Sequence, residues 1–285
     1  HEEFLTKSVK DLVLSEGSIV HYDPKHPDRL PEGPIEEINL RANGEQFTIE
    51  ISLKPQKWLD NDVILVVGRD ISERKRVEDA VHKRDEDLSL LNEINDAANR
   101  HEDLVTIANL VSEKTKPIFN CLGTTLNLVD RERAYLIMQN FDVPRELAQG
   151  IEKLIGVQIP QIKHDLKKDH PYRHVFESGK PMIVNDLEGI LDFTKGYINS
   201  QNWPEKTKNR VAKLIPTIVK LIGRCSLMVV PLISDGEIIG TLEVAGNEPY
   251  TEDDLQRLEQ ITRQLTTVIT RVQTETKVAE QMDEL

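Results

Sequence analysis

The segment between residues 226 and 246 constrains the fold of this chain more than any other. It reads SLMVVPLISDGEIIGTLEVAG, two long apolar runs separated by Asp235 and Gly236. Asp-Gly is favoured in the type I′ turn that joins paired strands, because both central residues of that turn need a positive φ. We therefore predict an antiparallel hairpin here, within the strand-rich centre of a domain.

The residues around this hairpin alternate between helical and strand patterns. The apolar spacing predicts helices at 104–119 and 144–154, strands at 124–130, 134–138 and 181–186, and a long irregular insertion at 189–205. A final helix is expected to start at Thr251, which forms a capping-box pattern with Asp254 three residues later. Strands flanked by helices at both ends indicate an α+β arrangement.

The first part of the chain has strand patterns of its own. Apolar residues alternate after Asn43 and Gly44, which predicts a hairpin with a type I′ turn at this dipeptide. The apolar run at residues 63–67 predicts a third antiparallel strand that is buried on both sides or paired centrally. A chain of 285 residues is long enough to form two domains, each with its own core.

Two helical segments carry apolar residues at heptad-like spacing. In the segment that follows residue 72, one stripe contains Leu90, Ile94 and Ala97 and is expected to pack against a domain. The other stripe and the final helix are expected to form the seam of a parallel homodimer. The seam residues are Val77, Val81, Leu88, Leu91, Leu258, Ile261, Leu265, Val268 and Val272. The alternative is that the final helix only packs on its own sheet.

Two parts of the sequence resemble known families. RDISERKRVEDAV, residues 69–81, resembles the end of a PAS domain, whose last strand typically runs into D-I-T-E-R-K. Residues 88–272 resemble a GAF domain, on the segments ESGKPMIVND, SLMVVPLISDGEIIGTLEVAG and NEPYTEDDLQRLEQITRQLTTVI. The resemblance implies an α+β fold, in which antiparallel sheets of PAS-like and GAF-like domains are joined and followed by long coiled-coil-type helices.

The same resemblance implies a domain order. We expect the C-terminal part of a PAS domain at 1–72, a connector helix at 73–103, a GAF domain at 104–272 and the start of an output helix at 273–285. The first two strands of a PAS fold have no counterpart in the sequence. Because the chain begins at His1 and ends at Leu285 within a helical pattern, we expect both ends to continue in a longer protein.

PAS followed by GAF is similar to the front end of sensor histidine kinases, so the expected function is sensing and signal relay in a two-component phosphorelay. We expect the response regulator to bind a kinase region outside this chain. The chain itself is expected to lack catalysis, because it has no G-x-x-x-x-G-K-[ST] loop and because His101 lacks the Arg and Pro of a phospho-acceptor box. The alternatives are a structural dimerisation module without a ligand, or the front end of a diguanylate cyclase or phosphatase.

GAF-like folds hold their pocket between the sheet and the helices and loops that cover one face. By resemblance, the floor of a pocket for a small molecule or prosthetic group is expected on Leu126, Leu128, Met228 and Val230, or on their alternate neighbours. The lid, within 156–220, would supply Tyr172, Phe176, Asp186, Phe193 and Tyr197. The alternative is that these aromatic side chains fill the space themselves.

Three histidines, His164, His170 and His174, lie within eleven residues, and imidazole is a common ligand of metals and haem iron. Of these, His174 is the best candidate because apolar Val175 and Phe176 follow it. A solvated, charged loop explains the same segment without a ligand. The cofactor is therefore unknown, with haem or another prosthetic group as an alternative.

The two cysteines, Cys121 and Cys225, are interpreted as small core residues, with covalent cofactor attachment as the alternative. Cys225 is followed by Ser226, so the Cys-His pair of the bilin-attaching phytochromes is absent.

The charge balance excludes several classes of partner. The chain has 49 acidic and 36 basic residues and a net charge of −13, which disfavours nucleic acid and anionic lipid. Two separated cysteines are too few for a disulfide framework, which fits a reducing compartment. With no apolar run long enough to span a bilayer, we expect no membrane contact and a cytoplasmic location, although a parent protein could be membrane-anchored elsewhere.

Overall fold

The computed structural model describes residues 26, 30–41, 43–130, 134–140, 145–156, 163–223 and 225–283. The chain divides into two compact units, residues 1–84 and residues 85–285. Helix α1, Ser72–Asn99, begins in the first unit and ends in the second. None of the helices within the described ranges is long and apolar enough to cross a membrane.

The described residues of the first unit form three antiparallel strands, β1 Ile35–Leu40, β2 Gln46–Trp58 and β3 Asn61–Asp70, paired in that order. The predicted hairpin between β1 and β2 is present, but its turn is not type I′. Gly44 has a φ of 84°. The Arg41 N–H donates to the Glu45 carbonyl (2.7 Å), and the Gly44 N–H donates to the Arg41 carbonyl (2.9 Å). These bonds begin the turn at Arg41 and end it at Gly44, so Asn43 and Gly44 are not the two central residues that a type I′ turn at this dipeptide would need.

The prediction for residues 63–67 is wrong, because Leu65, Val66 and Val67 are exposed. In the described sheet their strand, β3, pairs with β2 alone and so lies at an edge. An apolar run by itself does not distinguish a central strand from an exposed one.

The start of α1 agrees with its sequence pattern. The Asp70 carboxylate accepts a hydrogen bond from the Ser72 N–H (3.0 Å) and another from Arg41 (2.6 Å). The hydrogen bonds to Ser72, and then the one from Arg41, lower the pKa of Asp70 to about 2. The carboxylate therefore stays ionised at the positive end of the helix, where a negative charge is favourable.

The second unit is built on a six-stranded antiparallel sheet. Its strands are β4 Gly123–Asp130, β5 Tyr135–Met138, β6 Lys163–Asp165, β7 Met182–Val184, β8 Ser226–Ser234 and β9 Glu237–Gly246. Their order across the sheet is β6-β5-β4-β9-β8-β7. The predicted hairpin joins β8 to β9, and Asp235 (φ 52°) and Gly236 (φ 80°) form its two-residue turn. Because both φ angles are positive, the type I′ prediction is confirmed at this position.

The helices of the second unit that follow α1 are α2 Leu104–Phe119, α3 Arg145–Ile155, α4 Arg173–Ser178, α5 Leu187–Ser200, α6 Glu205–Ala212, α7 Ile215–Ile222 and α8 Glu252–Asp283. The N-terminus of α8 has the predicted capping box. The Thr251 hydroxyl accepts from the Asp254 N–H (3.2 Å), and the Asp254 carboxylate accepts from the Thr251 N–H (2.9 Å).

The irregular insertion predicted at 189–205 is wrong over most of its length, because α5 occupies Leu187–Ser200. Asp186 caps this helix by accepting from the Gly189 N–H at 2.8 Å. The buried side chains of α5 include Ile190 and Phe193, one helical turn apart. Gly189 and Gly196 lie within this helix, since a glycine weakens a helix without forbidding it.

Strand alternation gives the second unit two cores, one on each face of the sheet. On the first, which we call the bundle face, side chains of β4, β8 and β9 pack against α1, α2 and α8. On the second, which we call the lid face, Leu136, Leu227 and Val229 pack against side chains of α3 to α7.

The predicted dimer seam is wrong for α8. Its residues Leu258, Ile261, Leu265, Val268 and Val272 are all buried in the core of the bundle face of their own chain. Their heptad-like spacing reflects packing on the sheet, so the alternative interpretation of this helix is the correct one.

Helix α1 carries the remaining residues of the predicted seam. Leu91 is also buried in the bundle-face core, together with Leu90, Ile94 and Ala97. Of the predicted seam residues, only Val77, Val81 and Leu88 are exposed.

Candidate functional site

A group of polar side chains lies inside the core of the lid face. It consists of Asn127, Tyr172, Tyr197, Thr241 and Glu243, and we call it the Glu243 cluster. Glu243 is only 3% exposed and Tyr172 is fully buried. Burying a carboxylate is costly unless it is hydrogen-bonded, so a cluster of this kind needs a specific arrangement of donors.

The donors converge on one oxygen of Glu243. The Tyr172 hydroxyl donates to Oε2 at 2.7 Å, and the Tyr197 hydroxyl donates to the same atom at 2.8 Å. The two tyrosine hydroxyls are also in direct contact with each other. Asn127 Nδ2 donates to the oxygens of Tyr172 and Thr241, each at 3.2 Å.

The sheet positions half of the cluster. Asn127 on β4 is paired with Thr241 on β9, and Glu243 lies two residues further along β9. Residues two apart on a strand face the same side, which places all three on the lid face. Their neighbours in sequence, such as Leu126 and Leu242, face the bundle.

The two tyrosines come from helices that cross above the sheet. Tyr172 is the N-cap of α4, and Tyr197 lies in the last turn of α5. A close approach at Gly196 holds these segments together, because a Cβ there would lie 2.9 Å from both N and Cα of Pro171. Only glycine permits this contact without a shift of the backbone.

The environment fixes the protonation of Tyr172. Burial, followed by the negative charge of Glu243, raises the pKa of Tyr172 well above its ordinary value of 10.0. The hydroxyl therefore keeps its proton at neutral pH and acts as a donor to the carboxylate.

His164 on β6 extends the polar region. Its ring lies 5.3 Å from the ring of Tyr172 and 4.7 Å from that of Tyr197, measured between centroids. Nδ1 is 2.6 Å from the Ser200 hydroxyl oxygen, and the Ser200 hydroxyl donates to the Tyr197 carbonyl at 2.9 Å. Burial, with a smaller contribution from the charge of His170, lowers the pKa of His164 to about 3, so the ring is neutral at physiological pH.

Aromatic side chains surround the cluster. Phe193 lies edge-on to Tyr172 and Tyr197, with ring centroids 5.4 and 5.5 Å apart. Phe176 packs in the same core and lies edge-on to His170 at 5.7 Å. These contacts give the polar groups an apolar surround, the composition typical of a small-molecule site.

The predicted pocket residues are only partly brought together. Tyr172, Phe176, Phe193 and Tyr197 lie in the lid-face core as predicted. Leu126, Leu128, Met228 and Val230 do not, because they face the bundle. Because successive strand residues face opposite sides of the sheet, the residues on the lid face are the neighbours of these four, which include Asn127 and Val229.

Asp186 is exposed and caps α5, so it does not line the cluster. Sequence analysis did not identify Thr241 or Glu243 as site residues. It considered His164 only as a possible metal or haem ligand, and it included Asn127 only as a neighbour of Leu126 and Leu128. Glu243 had a usable pattern, since it is the one charged residue between Ile238 and Gly246 in the sequence. A single acid within an apolar strand is unusual unless it is paired.

The histidine singled out from the sequence is not the buried one. His174 is exposed on α4, which contradicts its choice as an axial ligand, whereas His164 is fully buried. Within the described ranges, no group of three or more His, Cys, Asp or Glu is arranged to hold a metal ion. His101 is exposed at the junction between α1 and α2, with a φ of 57°.

The cysteines are half-buried and carry free thiols. Burial raises the pKa of Cys121, which makes its thiol a poor nucleophile.

A groove of about 540 Å³ lies elsewhere in the second unit, between the β8–β9 turn and the C-terminal part of α8. Its walls include Asp235, Ile239, Thr270 and Lys277. It contains no residue of the Glu243 cluster and none of the predicted pocket residues.

Comparison with protein families identifies one match, to the GAF domain, over residues 103–269. A search of curated proteins finds no relative that matches this chain.

Among solved structures, the chain is similar to free methionine-R-sulfoxide reductase from Neisseria meningitidis in complex with its substrate, with 16% identity, a TM-score of 0.47, and coverage of 69% of this chain and 93% of that one. It is similar to the GAF domain of a phosphoenolpyruvate-protein phosphotransferase from Acinetobacter, with 12% identity, a TM-score of 0.43, and coverage of 67% and 97%. It is also similar to the chromophore-binding domain of a bacteriophytochrome from R. palustris, with 12% identity, a TM-score of 0.41, and coverage of 88% and 78%.

Proposed function

The chain belongs to the GAF domain family, and from this premise we propose that it is the sensory and signal-relay module of a multidomain signalling protein. A small molecule or prosthetic group is sensed at the Glu243 cluster. The observation that carries this proposal is the burial of the Glu243 carboxylate with Tyr172 and Asn127, joined by the partly buried Tyr197, in a largely apolar core. A core that only packs does not need these groups, because apolar side chains of similar shape are often at least as stabilising at such positions.

Strand β9 offers the route from the site to the output. Glu243 belongs to the cluster, while its neighbours Leu242 and Val244 are buried in the bundle-face core with Leu258 and Leu265 of α8. A ligand that displaces Glu243 must therefore strain the packing under α8. Signal relay requires that α8 have two arrangements and that the ligand bind more tightly to one of them.

The wider context is also proposed. The parent protein is a cytoplasmic sensor histidine kinase that phosphorylates a response regulator, and the first unit is the C-terminal part of its PAS domain. The sequence around Asp70 and Ile71 supports the PAS assignment by resemblance. Diguanylate cyclases and phosphatases with similar front ends are the alternatives.

The purified chain, incubated with cell extract and then desalted, tests the sensory function by native mass spectrometry and absorption spectroscopy. We expect a retained mass in the wild type that is lost in Glu243→Gln. The control, Glu237→Gln, changes an exposed glutamate on the same strand and should keep that mass. If neither a mass nor a chromophore is retained, the sensory proposal is wrong.

A second candidate function is structural dimerisation. It is favoured by the exposure of Val77 and Val81 on α1, at 57% and 55%. Val81→Asp should then convert a dimer to a folded monomer in light scattering, because it places a charge in the seam. A wild-type chain that is already monomeric would exclude this function.

A further inference from the structure

Two buried atoms beside the ring of Tyr172 lack hydrogen-bond partners among the described residues, namely Asn127 Oδ1 and His164 Nε2. Both side chains are fully buried. Leaving such atoms unpaired costs about 1 to 3 kcal/mol each, so a ligand that satisfies them would bind favourably. The chemical character of these two atoms therefore indicates what the ligand must offer.

Asn127 presents an acceptor. Tyr172 commits its proton to Glu243, so the Tyr172 oxygen must accept from the amide of Asn127. This places Nδ2 toward Tyr172 and leaves the carbonyl oxygen Oδ1 unsatisfied.

His164 also presents an acceptor. The Ser200 hydroxyl gives its proton to the Tyr197 carbonyl, so His164 Nδ1 must carry the hydrogen that bonds to the Ser200 oxygen. In a neutral imidazole the other nitrogen then has a lone pair and no hydrogen. The unsatisfied Nε2 is therefore an acceptor.

The charge of the site also favours a ligand that donates hydrogen bonds, and in particular a cation. Glu243 adds a buried carboxylate that, like Asn127, is hydrogen-bonded to the Tyr172 hydroxyl, and its attraction for a cation is strengthened in a poorly solvated interior. The edges and faces of Phe193 and Tyr197 provide an apolar surround for the rest of the ligand. Rings of this kind also favour cations over anions.

We infer that the Glu243 cluster binds a small molecule with a primary ammonium group on a short apolar body, and that this group donates hydrogen bonds to Asn127 Oδ1 and His164 Nε2. The inference rests on the proposed sensory function and narrows its ligand class. Compounds that offer only acceptors, such as carboxylates, are excluded because they would face three acceptor groups.

Matched pairs of probes test this inference: benzylamine against benzoate, and n-butylamine against butyrate, titrated calorimetrically into the full 285-residue chain. We expect saturable binding of at least one amine and none of its carboxylate partner. Asn127→Ala and His164→Gln should each weaken amine binding about tenfold, the loss expected for one hydrogen bond to a charged group. The matched control His174→Gln, at an exposed histidine, should bind as the wild type does.

A measurement on the wild type avoids dependence on the folding of the variants. In ¹⁵N-histidine-labelled protein, the Nε2 resonance of His164 should change from a free to a hydrogen-bonded acceptor on amine addition, while that of His174 stays unchanged. Equal binding of amine and carboxylate, no saturable binding of either amine, or an unchanged His164 resonance would overturn the inference. Retention of a ligand without an amine from cell extract would also overturn it and leave the sensory function standing, whereas retention of no ligand would remove the sensory function itself.

Discussion

Glu243 on β9 and Tyr172 at the N-cap of α4 are joined by a 2.7 Å hydrogen bond, which ties the sheet to the helices of the lid face. A second tyrosine, Tyr197 of α5, donates to the same carboxylate oxygen. The cluster therefore holds two helices at one point of the sheet, and its loss should affect both stability and ligand binding.

Tyr172→Phe should lower the free energy of unfolding by about 1 to 3 kcal/mol, because it removes a donor from a buried carboxylate. Tyr197→Phe should cost a similar amount, and the double variant should show coupling because both hydroxyls bond the same oxygen. Urea unfolding measures all three, with Tyr135→Phe at a half-buried tyrosine as control. Simple additivity would contradict a shared role for the two hydroxyls.

The free energy of unfolding should decrease as the pH is lowered, because of His164. Its pKa is about 3 in the folded state against 6.5 for an ordinary histidine, so between these values the unfolded chain binds a proton that the folded chain does not. Below pH 6.5 this difference reduces the free energy of unfolding by at most about 1.4 kcal/mol per pH unit. His164→Gln should flatten the dependence, measured by urea unfolding between about pH 7 and about pH 5. Identical pH profiles for this variant and the wild type would show that His164 is not the group responsible.

Gly196→Ala should destabilise the lid, because its Cβ would meet the backbone of Pro171 at 2.9 Å and push α5 away from Tyr172. We expect a loss of about 1 to 3 kcal/mol, the usual cost of overpacking. Gly150→Ala in α3 is the matched control, since a Cβ there has no neighbour within 4 Å. It should be neutral or stabilise by up to about 1 kcal/mol through helix propensity. Thermal melts compare the two, and equal effects would show that the contact at Pro171 is unimportant.

Arg257→Gln should loosen the N-terminal part of α8 from α1. Arg257 donates to Asp87 at 2.8 Å and to Glu86 at 3.0 Å, with its side chain only 12% exposed. Removing it leaves two partly buried carboxylates without this donor, which we expect to cost about 1 to 3 kcal/mol. Arg173→Gln breaks an exposed pair with Glu177 and should cost less than about 1 kcal/mol. Hydrogen exchange at α1 should rise in the first variant only, and unchanged exchange would show that the contacts of Arg257 do not hold α1 to α8.

Much of the second unit could be predicted from the sequence, because its elements depend on local rules. The Asp235-Gly236 turn and the capping box at Thr251 each need only a few adjacent residues, and both are as predicted.

In the first unit, the turn at Leu59-Asp60 was missed, since neither residue is glycine although both have positive φ. At Asn43-Gly44 the dipeptide alone did not predict the turn, whose hydrogen bonds join Arg41 to Gly44 and to Glu45.

The candidate site was harder to predict, because it depends on which face of the sheet each strand residue occupies. The period-2 alternation predicted that Leu126 and Leu128 are buried, but it did not predict which face of the sheet they occupy. The heptad spacing of α8 was ambiguous for the same reason, since a sheet and a second helix accept the same apolar stripe. Only the tertiary arrangement brings Glu243, Tyr172 and His164 together from segments far apart in the chain.

The alternation along β9 also limits how this protein can diversify. Thr241 and Glu243 belong to the Glu243 cluster, while Leu242 and Val244 belong to the core beneath α8. An insertion or deletion of one codon in this stretch would exchange the two sets, burying a carboxylate under the helix and a leucine in the polar cluster. The proposed ligand preference can therefore change only by substitution at alternate positions of β9, and the length of this strand should be inherited without change.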